Sequence, residues 1–118
     1  MTSMNQSVVL LRKTVKFTST AGEVVFTLPT GAIPLLCIVQ VDTAFNDSGT
    51  DTLSIGTTGN NTLYASGVNV GSTGGKLVAL SNNDVVTKKT GIFVKYTGEN
   101  SDATAGSAEI LLICGSPF

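Results

Sequence analysis

Few side chains in this sequence can do covalent chemistry. There is no histidine among the 118 residues, which removes the commonest general base and the commonest transition-metal ligand. Serines are frequent, but no Gly-x-Ser-x-Gly elbow presents one as a nucleophile. Cys37 and Cys114 sit inside the apolar runs Leu35-Leu36-Cys37-Ile38-Val39 and Leu111-Leu112-Ile113-Cys114. In such surroundings a thiol behaves as a small buried hydrophobe, and without a histidine partner neither cysteine reads as a hydrolase nucleophile. The acids Glu23, Glu99, Glu109, Asp42, Asp47, Asp51, Asp84 and Asp102 could in principle supply a glycosidase pair. Aromatics, which usually form the sugar platform, are only 6% of the chain. Asp42, Asn46, Asp47 and Asp51 place four oxygen-bearing side chains across one loop and could contribute to the six to eight oxygens that Ca²⁺ takes, but their spacing is not that of an EF-hand. Turn chemistry accounts for Asn46-Asp47-Ser48-Gly49 equally well. Gly71-Ser72-Thr73-Gly74-Gly75-Lys76 lacks the gap of a phosphate loop, and Leu77 stands where the hydroxyl belongs. No catalytic, cofactor-binding or metal-ligating residue is therefore assigned.

What remains is binding by surface. The formal charge is −1 and the isoelectric point about 5.1, which argues against a nucleic-acid partner held by charge. No window approaches the ~20 apolar residues of a membrane-spanning helix, and the start of the chain lacks the order of a secretory signal, so no membrane partner is expected. Basic residues concentrate early, at Arg12, Lys13 and Lys16, directly after the apolar run Val8-Val9-Leu10-Leu11. Residues 1–13 are expected to form an extended N-terminal arm. Its candidate interaction residues are Val8, Val9, Leu10, Leu11, Arg12 and Lys13, which would dock on an acidic neighbouring surface. An edge strand is the alternative, since charges on an edge block unwanted pairing.

The elements that would position these residues are strands. The chain is rich in Val, Thr, Ser, Gly and Asn, a composition of strands and turns. Period-two alternation marks Val8 to Phe17, Glu23 to Leu28, Leu35 to Asp42, Asp51 to Gly56, Ile92 to Thr97 and Ala108 to Cys114. Lys76 to Leu80 and Asp84 to Lys88 flank a turn at Ser81-Asn82-Asn83. Thr57 to Gly75 reads as a long excursion with one short strand, the kind of loop that often forms an interaction surface. Leu35 to Asp42 is apolar on both faces and reads as a central strand covered on both sides. No 3.6-residue period persists. The expectation is one all-β domain over residues 1–118, a β-sandwich or jelly roll of about eight short antiparallel strands with no substantial helix. Its core should hold Val24, Phe26, Leu28, Cys37, Val39, Val41, Leu53, Ile55, Ile92, Val94, Tyr96, Ile110 and Leu112.

From Leu28 to Asn60 three segments follow in order: Leu28-Pro29-Thr30-Gly31-Ala32, Val41-Asp42-Thr43-Ala44-Phe45-Asn46, and Thr52-Leu53-Ser54-Ile55-Gly56-Thr57-Thr58-Gly59-Asn60. This succession resembles small β-sandwich virion proteins of tailed bacteriophages. Gly31 and Gly56 would permit backbone conformations that a Cβ penalises, Phe45 would anchor its loop on the core, and Asn46 would satisfy its own turn. The resemblance implies a decoration (cement) protein on the outer surface of the capsid, with the major capsid protein and other copies of itself, as homodimer or homotrimer, for partners. It implies assembly in the host cytoplasm, where Cys37 and Cys114 would stay reduced and close together, and it carries over no catalytic residue. A tail, neck or fibre component is the near alternative. A carbohydrate-binding module is the alternative from another class, and would need open aromatic rings, for which Tyr64 and Phe93 are the candidates.

Overall fold

The structure is a computed structural model that describes residues 7–115. Those residues form eight strands: β1 Val8–Lys16, β2 Glu23–Leu28, β3 Ile33–Thr43, β4 Asp51–Thr57, β5 Asn60–Asn69, β6 Gly74–Val78, β7 Thr90–Gly98 and β8 Ser107–Gly115. No helix occurs among them. Two four-stranded sheets result, a front sheet ordered β1-β8-β3-β6 and a back sheet ordered β2-β7-β4-β5. Every pairing is antiparallel, and the pairs β1/β8, β2/β7, β3/β6 and β4/β5 run from the chain's ends to its middle. This is one long hairpin, with its tip at Thr58-Gly59, rolled up and closed by β3/β8 and β4/β7. The topology is that of a jelly roll.

The period-two assignments of β3, β4, β7 and β8 hold. Cys37, Val39, Val41, Leu53, Ile55, Ile92, Val94, Tyr96, Ile110 and Leu112 are all buried between the sheets, with Phe26 and Leu28 from β2. Each such side chain contributes about 1.5–3 kcal/mol by leaving water. Val24 is the exception, half exposed at 50%. The register slips between Val24 and Phe26: Val24 lies opposite Phe93 and Phe26 opposite Ile92, leaving Val25 as an extra residue. One extra residue reverses the facing of everything before it, so Val24 turns outward and Val25 packs against the core.

Bulges also explain why β5 departs from the expectation. Residues expected as a long excursion instead form β5, a ten-residue strand against β4. Two irregularities in its register destroy the alternation that would have revealed it. Residues 84–88 are a loop, not a strand; Val86 is buried and exchanges backbone hydrogen bonds with Gly31 and Ala32 at 2.6 and 2.8 Å. Gly31 has φ +95°, as its turn demands. Gly56 is needed for space, not conformation: a Cβ there would lie 2.2 Å from the Asn60 carbonyl oxygen.

Candidate interaction surface

β3 and β8 are the central strands of the front sheet, yet among the described residues nothing covers the sheet's outer face. The register aligns its outward residues in rows. Val8, Gly115 and Ile33 form the first row, Leu10, Ile113 and Leu36 the second, and Arg12, Leu111, Ile38 and Leu77 the third. The polar residues Thr14, Glu109 and Gln40 follow in the fourth, with Gly75 at its end. Leu35, the extra residue of a bulge between Pro34 and Leu36, adds to the apolar end. Val8 is 68% exposed and Leu77 73%, with Leu10, Leu35 and Leu36 also open to solvent. Ile33, Ile38, Leu111 and Ile113 are half-buried between them. A contiguous apolar patch of this kind is characteristic of an interaction site.

The six candidate residues divide by parity along β1. Val8, Leu10 and Arg12 lie on this outer face, while Val9 and Leu11 turn inward and are half-buried. Lys13 has the inward parity, opposite Ile110, but is exposed at the sheet's edge. The Arg12 guanidinium donates to the Glu109 carboxylate at 2.7 Å. That hydrogen bond, with the attraction of the carboxylate charge, raises the Arg12 pKa. The segment expected as an arm is therefore, from Val8 onward, a strand of the sandwich itself; residues 1–6 lie outside the described residues. Leu35, Leu36, Ile38, Leu77, Leu111 and Ile113 were not anticipated as surface. For Leu35, Leu36 and Ile38 the signal was the double-faced apolarity of Leu35 to Asp42, which marks an open outer face and not a covered one.

The loops at one end of the sandwich are built in the opposite way. Asp47 is buried and accepts from the backbone N–H groups of Gly49 at 2.7 Å, Asn100 at 3.0 Å and Asp102 at 3.1 Å. Desolvation pushes its carboxyl up, but these backbone donors outweigh that and hold it below the ordinary range. The Tyr96 hydroxyl donates to Asp51 at 2.5 Å. Burial first, then this bond to a carboxylate, pushes the Tyr96 phenol above its usual value. Ser48 donates from Oγ and from its backbone N–H to Asp102. Asn46 reaches across to Thr104 and Ala105 instead of satisfying its own turn. Phe45 does anchor its loop, with its ring 4.8 Å from that of Tyr96. The four oxygen donors considered for Ca²⁺ do not converge, since Asp42 is exposed on β3 while Asp47 and Asp51 serve N–H and O–H donors. No group of three or more potential metal ligands occurs among the described residues.

Cys37 and Cys114 are both free and buried, on adjacent strands with the same inward facing. Burial, with the nearby Cys114 as a lesser cause, pushes the Cys37 thiol up to about 12; burial pushes Cys114 up to about 11. Such thiols are chemically inert. Tyr64 is in the core, and the half-buried Phe93 packs its ring over Gly22. No aromatic among the described residues is exposed.

No family model and no curated protein matches the chain. Solved structures do. A chain in the cyanophage Pam1 capsid asymmetric unit superposes with a TM-score of 0.77 at 24% identity, over 99% of this chain and 90% of that one. A chain in the acidic stable capsid structure of Helicobacter pylori bacteriophage KHP30 gives a TM-score of 0.72 at 14% identity, over 96% of this chain and 94% of that one. The likeness is one of fold. Nearly the whole of each matched chain is accounted for by this single jelly roll.

Proposed function

We propose that this protein is a structural component of a bacteriophage virion: a decoration protein that binds the outer surface of the head, contacts the major capsid protein, and stabilises the lattice. The observation that carries this reading is the open apolar face of the front sheet, from Val8 and Leu10 to Leu36 and Leu77, on a fold shared with chains of two phage capsids. Jelly rolls also serve lectins and enzymes, so fold alone does not decide function. The surface favours the structural role. Its binding capacity lies in area, its acids at the loop end are committed to internal donors, and none of the described aromatics is exposed, which counts against a sugar platform. Many weak contacts repeated over a lattice add to firm attachment.

The test is to mix the purified protein with heads of its phage stripped of accessory proteins, and to locate it by imaging. Lattice-wide occupancy is the expected result, with Leu77→Asp lowering it. Density confined to the tail, neck or fibres would move the protein to that part of the virion. Failure to bind particles, with binding on a glycan array, would replace the reading by a carbohydrate-binding one.

A further inference from the structure

The sandwich has four edge strands, and they are not alike. β2 is broken by the slip at Val24 and begins with Glu23. β5 carries two irregularities, and β6 is five residues long and starts with two glycines. β1 alone is long and unbroken: all nine of its residues pair in sequence with β8, from Val8 opposite Gly115 to Lys16 opposite Ser107. Its other side is a row of main-chain donors and acceptors with no strand beyond it among the described residues. An edge of that regularity is a template for a further strand.

The side chains decide which strand. β1 carries Arg12, Lys13 and Lys16 and no acid. A second copy paired antiparallel over all nine residues would set Arg12 opposite Arg12 and Lys13 diagonal to Lys13, and like charges across strands are unfavourable. Arg12 is neutralised by Glu109, whereas Lys13 and Lys16 form no salt bridge among the described residues. Those two lysines are three positions apart, so they present one charge to each face of an added strand. Repulsion of self and attraction of acid are then the same device.

We propose that the free edge of β1 accepts an extended acidic segment of a partner polypeptide, added as a ninth strand, with two carboxylates three residues apart meeting Lys13 and Lys16. The virion reading supplies only the source of such a segment, a neighbouring capsid chain. The edge itself is tested without particles.

The probe is the synthetic peptide Thr-Thr-Glu-Val-Thr-Glu-Thr-Thr, titrated at low salt into the full chain while backbone amides are followed by NMR. The control peptide has Lys at both Glu positions. Shifts and slowed amide exchange are expected along β1 with the acidic peptide, and not along β2. Lys13→Glu/Lys16→Glu, at two exposed positions that leave the fold intact, should weaken the acidic peptide about tenfold, since exposed pairs are each worth under ~1 kcal/mol, and should favour the control peptide. No response at millimolar peptide, a response centred on another strand, or equal binding of both peptides would overturn the proposal. Any of these would leave binding to heads as a separate result, and a protein that ignored heads but bound the acidic peptide would sink only the virion reading.

Discussion

The loop end and the front face of this small protein treat polar and apolar groups in opposite ways. At the loop end, three backbone donors converge on Asp47 and the Tyr96 hydroxyl is spent on Asp51; little there is left for a partner. On the front face, large aliphatic side chains remain in water and the outer edge of β1 has no neighbouring strand among the described residues. A satisfied network rigidifies a structure, while an unsatisfied surface stores capacity for association. The comparison teaches that the stabilising network and the proposed binding surface lie in different regions, so each can be perturbed alone.

The largest effect should come from Phe45→Ala. It removes a ring that is 2% exposed and packed on Tyr96, and loss of a buried Phe costs about 3–5 kcal/mol, measurable as a lower urea midpoint. Tyr96→Phe keeps the ring and removes the donor to Asp51. A hydrogen bond to a charged group is worth about 1.5–3 kcal/mol, and the variant should fall between wild type and Phe45→Ala. If Tyr96→Phe were neutral, the loop end would not be the stabilising network described.

Acid gives a third test. The Asp47 carboxyl titrates below its ordinary value in the folded chain, so as pH falls the unfolded chain takes up this proton first. The contribution of Asp47 is present in full above the unfolded value near ~3.9 and is lost as pH drops through the lower, folded one. Asp47→Asn should therefore be less stable than wild type at neutral pH and lose less on acidification, seen as a narrowing gap between their urea midpoints. The smallest effect on stability belongs to Leu77→Asp, at a side chain 73% exposed. It should change unfolding by no more than about 0.5 kcal/mol while impairing particle binding. A large loss of stability there would erase the contrast between the two regions.

The sequence alone determined the class of fold and most of the interior. Alternation in β3, β4, β7 and β8 identified buried residues because side-chain direction along a regular strand depends only on near neighbours. The lack of histidine, and the early cluster of Arg12, Lys13 and Lys16, were equally plain. Tertiary structure decided the rest. Val24 was misassigned, and β5 missed, because a bulge is set by the partner strand and leaves no local mark. Asp47 meets Asn100 and Asp102 only because the roll brings two distant loops to one end. Leu77, Leu10 and Leu36 become one patch only after β1, β8, β3 and β6 are set side by side in that order. That pairing is a long-range choice made by the whole core, and no window of the chain contains it.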